Sequence, residues 1–252
     1  MITIITPTVR PEMLDIVARC LKRQTFQDFE WLIGSPQKLF FEIDRLIGHD
    51  YDFGFVPEPP RNEGDYYCLN KCMNSLYKEV KGELIVQITD GIWFPPDTLE
   101  RLWAHYQANP KALVTTVGHQ YDQLDQYGKP ANMMWQDPRA RLDQGTFYEV
   151  APSEMEMCIA SIPRQAILDC GGVDEIYDTC PAVGEKEMCW RLDKLGYKFF
   201  IDQTIEYRAI HHPRLDSKWE EMYQKVTTPL FIKHMNELQL GQRTLNVGYI
   251  KE

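Results

Sequence analysis

The chain has 252 residues, 44% hydrophobic and 25% charged, enough for a sizeable core and ordinary for one large α/β domain or a domain with a tail. Its formal net charge of −10 argues against non-specific nucleic-acid binding, which depends on Lys and Arg neutralising phosphates. Lys129, Arg139 and Arg141, then Arg208, Arg214 and Lys218, are the places where a local basic groove could form.

Residues 1–5 carry neither a basic region nor a cleavage site and read as a first strand, not a signal peptide. Pro7 stops that strand, and Pro11-Glu12 opens a helix with Met13, Leu14, Val17, Ala18 and Leu21 on one face. Residues 29–33 form a second strand, ended by Gly34-Ser35-Pro36; 38–47 read as helix and 52–56 as a third strand. A loop rich in Pro, Asn and Gly over 57–64 leads into a helix at 66–80, with Leu69, Cys72, Met73, Leu76 and Val80 together. A buried strand follows, running to Asp90, and Pro96-Asp97 starts a helix to residue 108. This alternation predicts a mostly parallel sheet with helices on both faces.

The second half is less regular. Strands are expected at 112–117, 157–162, 198–201 and 205–210, with 121–146 as a polar loop. A short helix at 163–168 ends before Gly171-Gly172, and an amphipathic helix at 185–195 is stopped by Gly196. A final helix over 217–238 is broken at Pro229. No apolar run approaches the roughly 20 residues of a membrane span. Seven cysteines, an odd number without a Cys-x-x-Cys pair, read as reduced core thiols of a cytoplasmic protein.

Ligands of open α/β sheets bind outside the carboxyl ends of the strands, and Asp90 is delivered to such an end. Thr89 and Gly91 flank it where a stronger metal site would carry a second acid. Arg10, in the loop after the first strand, suits a diphosphate. Asn70 and Asn74, four apart, share a helix face, which makes Asn70 a candidate donor contact. Trp93 reads as core, whereas Trp135, in a polar stretch, is a candidate for stacking on a sugar.

In order along the chain, several segments resemble those of inverting GT-A glycosyltransferases of the large family 2 group. Ile4-Ile5-Thr6-Pro7-Thr8-Val9-Arg10-Pro11 is similar to the opening strand and donor loop, and residues 21–33 to the Gln-Thr segment before the second strand. Leu69-Asn70-Lys71-Cys72-Met73-Asn74 with residues 81–85 is similar to the helix before the metal-site strand. Residues 161–164 through 171–175 are similar to the acceptor-side segment, and 184–192 with 195–198 to the catalytic-base helix. The resemblance implies a GT-A (nucleotide-diphospho-sugar transferase) fold over 1–212, with a donor half (1–117), an acceptor half (118–212) and a C-terminal helical extension (213–252). It implies transfer of a sugar from a nucleotide-sugar donor to a hydroxyl acceptor, with inversion and assistance from Mn2+ or Mg2+. Thr6, Pro7, Thr8, Arg10, Asn70 and Asp90 would hold the donor, Asp90 and His211 the metal, and Glu185 would be the base.

His212 is the alternative ligand and Glu187 the fallback base. The acceptor could be a saccharide, a lipid-linked hydroxyl or a hydroxymethylated base in DNA, the one role in which nucleic acid is expected; a non-catalytic nucleotide-sugar-binding protein is the other alternative. Three departures stand out. One acid replaces the usual two or three around Asp90, Gly184-Glu185 replaces an acidic pair, and Gly34-Ser35-Pro36-Gln37 stands where acids usually meet the donor base. Backbone groups with Arg61, Asn62 or Asn70 could read that base instead.

Overall fold

The computed structural model describes residues 1–49, 51–66, 68–180, 183–211 and 219–244. The donor half runs β1 (Ile2–Pro7), α1 (Leu14–Leu21), β2 (Phe29–Ser35), α2 (Phe40–Ile47), β3 (Gly54–Pro57), α3 (Leu69–Glu79), β4 (Leu84–Ile88), β5 (Ile92–Trp93) and α4 (Thr98–Ala108). The rest comprises β6 (Ala112–Leu124), β7 (Pro130–Gln136), β8 (Phe147–Glu149), β9 (Ile159–Pro163), α5 (Arg164–Cys170), α6 (Gly184–Lys194), β10 (Lys198–Ile210), α7 (Trp219–Met222) and α8 (Thr228–Gln239).

The strands form one sheet in the order β3-β2-β1-β4-β9-β6-β10-β5, with β7 on β6 and β8 on β10. Alternate residues of the central strands feed two cores. Ile5 and Ile85 pack with Met73 and Leu76 of α3 and Met188 and Leu192 of α6 on one face. Ile4, Val86 and Ile88 pack with Leu14, Val17 and Leu21 of α1 and Leu99 and Leu102 of α4 on the other. Near-continuous apolar strands are what burial on both faces requires.

The fold class is α/β, as the residue pattern predicts, with differences in detail. The sheet is mixed. β3, β2, β1 and β4 pair in parallel, but β9 inserts antiparallel between β4 and β6. β2 continues through Gly34 and Ser35, and Gly34 serves packing, not a turn. A Cβ there would lie 2.5 Å from Cys72 Sγ, so glycine lets α3 press onto the strand. The expected loop at 121–146 contains instead the outer part of β6 and its hairpin partner β7. The hairpin has no buried face to betray it: Met133, Met134 and Trp135 are all about half exposed. The two late strands are one, β10, with an irregularity between Asp202 and Glu206. The last helix changes at a π turn, Tyr223–Thr227, and Pro229 sits in the first turn of α8, where its missing N–H costs nothing. The expected domain limit at 212/213 lies outside the described residues.

The C-terminal segment is joined to the domain by charge. Asp174 and Glu187 are both fully buried. Arg191 forks onto Glu187 at 2.9 and 3.1 Å, and Arg243 bridges Glu187 and Asp174. The Tyr177 hydroxyl meets His234 Nδ1 of α8 at 2.8 Å. Removing one partner of a buried ion pair is costly because a charge is left behind. Arg243→Ala is therefore expected to lose about 3–5 kcal/mol at neutral pH. Urea melts of the variant beside the native protein measure the loss.

Candidate active site

The carboxyl ends of β1 and β4 lie side by side, because the two strands pair in parallel from Ile2↔Leu84 to Ile5↔Gln87. Past those ends, the loop after β1 meets the turn after β4. The Thr8 hydroxyl donates to Asp90 Oδ2 and accepts from Arg10 N at 2.9 Å. Arg10 faces the same carboxylate with two donors, Nε at 3.3 Å from Oδ2 and Nη2 on Oδ1. The Asp90 side chain is 4% exposed and that of Arg10 24%, so the arginine is the more open of the pair, although its Nη1 is buried.

Gly91 makes the turn possible. It has φ +69°, and a Cβ there would come within 2.9 Å of Met13 Cε. Its N–H donates to Met13 O at 3.2 Å, and its carbonyl accepts from Ile210 N at 3.1 Å. The second bond brings the end of β10, and with it His211, to the Asp90 turn. The His211 ring is exposed, with Nδ1 3.3 Å from Gln120 Oε1. His212, Arg214 and Lys218 lie outside the described residues.

The second cluster is built on α6. Val183, just before it, has φ +69°, a strained value for a β-branched residue. Gly184 opens the helix because a Cβ would lie 2.3 Å from Asn70 Oδ1. That close approach explains why a glycine replaces the acid expected at this place. Glu185 follows, and its Oε1 accepts from Gln87 Nε2 of β4 at 2.9 Å. Desolvation pushes the Glu185 carboxyl above the usual glutamate range; the Gln87 bond opposes this, and the charge of Glu156 adds to it. A general base works best with its pKa drawn up toward the operating pH.

Asn70 joins this cluster in a structural part. Its N–H and Nδ2 both donate to Asp178 Oδ1, at 2.8 and 3.0 Å, while Lys71 N donates to Oδ2 at 3.0 Å. Asp178 thus satisfies the first turn of α3. Thr6 is fully buried and accepts from Trp31 Nε1 at 3.0 Å, so it belongs to the core. Pro7 ends β1 opposite Gly34. Glu187 is taken up by Arg191 and Arg243. Arg61 pairs with Glu58 at 3.3 Å, and Asn62 N donates to Asp65 Oδ2 at 2.6 Å.

Of the described cations of the middle and late chain, Lys129 lines a groove with Arg19, Lys22 and Arg23, and the others are paired or stacked. Arg139 is buried in a fork with Asp137, Arg141 pairs with Glu154, and Lys129 and Arg208 lie over the Trp93 ring at 4.5 and 5.5 Å.

Two residues emerge that the sequence reading did not assign. Ser35 Oγ and Gln87 Oε1 are buried without a hydrogen-bond partner, as is Arg10 Nη1. The available signal was a polar residue near the carboxyl end of an otherwise apolar strand.

The Asp90 carboxylate, the expected metal ligand, is bonded by Thr8 and Arg10. Among the described residues, no three or more His, Cys, Asp or Glu side chains are grouped so as to hold a metal.

No family model and no curated protein matches the chain in sequence. Solved structures of S. aureus TarS do match in fold. TarS 1-349 in complex with UDP superposes with a TM-score of 0.54 at 14% identity, covering 84% of this chain and 61% of that one. A longer TarS chain gives 0.58 at 13%, covering 84% and 37%, and TarS 1-349 alone gives 0.54 at 12%, covering 83% and 60%. This chain therefore spans from about a third to three fifths of those proteins. At such identities the likeness establishes the GT-A fold and leaves the chemistry to the residues.

Glu185 yields a prediction with a definite sign. Its folded-state pKa is raised, so its contribution to stability is full below the unfolded value, about 4.3, and is lost as pH rises through the folded value. Glu185→Gln, which removes the charge and keeps the acceptor for Gln87, should melt above the native protein at pH 7.5. That advantage should vanish as pH falls toward 4. Thermal melts at several pH values measure it.

Proposed function

We propose that the chain is an inverting glycosyltransferase, moving a sugar from a nucleotide-sugar donor to a hydroxyl acceptor. The observation that carries the reading is Glu185. It is a carboxylate with a raised pKa at the start of a helix, behind a strained residue, hydrogen-bonded to the same strand that delivers Asp90. Such strain collects at functional sites, and a desolvated carboxylate beside a cleft is the form a general base takes.

In the proposed step the acceptor oxygen attacks the anomeric carbon from the face opposite the nucleotide. Its proton goes to Glu185, and the bond from the anomeric carbon to the diphosphate oxygen breaks with its electron pair on the leaving nucleotide. One displacement with one base gives inversion. UDP, present in one TarS structure, is the first donor nucleotide to test. Ser35, fully buried at the end of β2, would meet the nucleoside in place of the missing acids. The exposed Trp135, paired in register with Gln120 on β6, would offer its ring to the acceptor sugar. No helix among the described residues is long and apolar enough to cross a membrane. Seven free thiols fit a reducing cytoplasm, and we place the reaction there.

The test is mass spectrometry of products from a panel of nucleotide sugars with mixed saccharide, glycolipid and hydroxymethylated-DNA acceptors. Glu185→Gln should lower kcat by about 10²–10⁴, the share of a general base, while leaving donor affinity within about twofold. A variant that keeps full activity would remove Glu185 from the mechanism. Trp135→Ala should raise the KM for acceptor about tenfold, the worth of a stacked ring, with little change in that for donor.

A further inference from the structure

We infer that Arg10 takes the place of the divalent ion at the donor diphosphate, so that donor binding and leaving-group stabilisation run on a guanidinium held by Asp90 and Thr8. The inference rests on the glycosyl-transfer reading above.

A guanidinium has five N–H donors. Asp90 takes two of them, through Nε and Nη2. The other three, both on Nη1 and one on Nη2, form the edge turned away from the carboxylate. Nη1 has no partner among the described atoms. The cation is also held in place. Its backbone N–H is bound by the Thr8 hydroxyl, and that same hydroxyl is bound to Asp90. Thr8 and Asp90 thus fix a planar donor edge, with a buried and unpaired Nη1, past the carboxyl end of β1, the end of a doubly wound sheet at which nucleotides bind. Planar donor pairs match phosphate oxygens, which is why arginine recurs at phosphate sites.

The same geometry speaks against a metal on Asp90. Oδ2 accepts from Thr8 and Arg10 Nε, and Oδ1 accepts from Arg10 Nη2. A divalent ion would have to displace the guanidinium or share a largely buried carboxylate with a like charge. A metal held by acids and a guanidinium held by one acid have the same electrostatic form. Each is a cation backed by carboxylate, with its positive end toward the departing diphosphate. The lack of a second acid beside Asp90, and of a three-ligand group among the described residues, then needs no other explanation.

The experiment is calorimetric titration of the full chain with UDP, GDP, ADP, CDP and dTDP, in EDTA and again in MnCl2. At least one nucleotide should bind with affinities that agree within about twofold between the two buffers. Arg10→Ala should weaken that binding about 10- to 100-fold, the worth of a charge-assisted hydrogen-bonded contact, and Arg10→Lys should fall between. Electron paramagnetic resonance of MnCl2 should show no loss of free ion when protein alone is added.

Binding that appears only with Mn2+ overturns the inference and leaves glycosyl transfer standing. So does metal-independent binding that Arg10→Ala leaves intact. If no nucleotide binds in either buffer, both the inference and the functional reading fail. Should Arg10→Ala not fold, the two buffers and the lysine variant still decide.

Discussion

A buried carboxylate has to be paired, and much of this site follows from how Asp90 is paired. Left alone at 4% side-chain exposure, the charge would cost several kcal/mol. The chain meets that demand with a residue 80 positions earlier, and bringing Arg10 to Asp90 requires the parallel pairing of β1 with β4. The next residue, Gly91, ties the turn to the start of α1 and to the end of β10. Four separate segments converge on one turn, so the loop geometry is set by electrostatics and by the sheet together. The acid is the more deeply buried of the two, and the arginine the more open.

The proposed base, Glu185, is positioned by steric means instead. Gly184 brings α6 against Asn70, a packing that any side chain at 184 would disrupt. Asp178 holds the first turn of α3 through three hydrogen bonds, so the surface that α6 leans on is rigid. Val183 absorbs the misfit in an unfavourable backbone conformation of order 1–3 kcal/mol. The result sets Glu185, half-buried, on Gln87 of β4. A neighbouring acid at 184 would have repelled the ionised base, and its absence leaves desolvation as the main control on proton affinity.

The parts of the fold readable from residues alone were those with a buried face. The apolar runs of β1, β2 and β4 and the helical spacing in α1, α3 and α6 all face one of the two cores. The β6–β7 hairpin escaped notice because its outer strand buries almost nothing, so its residues carry no alternation to read. The antiparallel insertion of β9 escaped for a different reason. Strand direction depends on the path of the connections, and a five-residue apolar run looks the same either way. Among the candidate site residues, Asp90, Arg10 and Asn70 were singled out by type and place, and Thr8 and Glu185 through the resemblance of their segments. Their pairings were not, because a contact between residues 80 or 98 apart leaves no local pattern. Thr6 shows the converse. It sits in the donor-loop motif, yet strand alternation turns its hydroxyl to Trp31 in the core.

What separates the site from the rest of the molecule is where polar groups go unsatisfied. Five buried side-chain atoms among the described residues lack a hydrogen-bond partner: Arg10 Nη1, Ser35 Oγ, Tyr77 OH, Gln87 Oε1 and Arg208 Nε. Each costs of order 1–3 kcal/mol, so a chain shaped for stability alone would scatter or remove them. Arg10 follows the carboxyl end of β1, Ser35 ends β2, Gln87 lies one residue from the end of β4, and Arg208 lies two from the end of β10. The fifth, Tyr77, has its hydroxyl pushed to higher pKa by burial and, next, by the charge of Glu185. The strands therefore present their unmet hydrogen-bonding capacity at the one edge of the sheet where a ligand with many acceptors and hydroxyls would satisfy it. The proposed nucleotide sugar would be such a ligand, offering phosphate oxygens to Arg10 and hydroxyls to Ser35 and Gln87. The free energy recovered on filling those positions would go into holding the donor against Glu185.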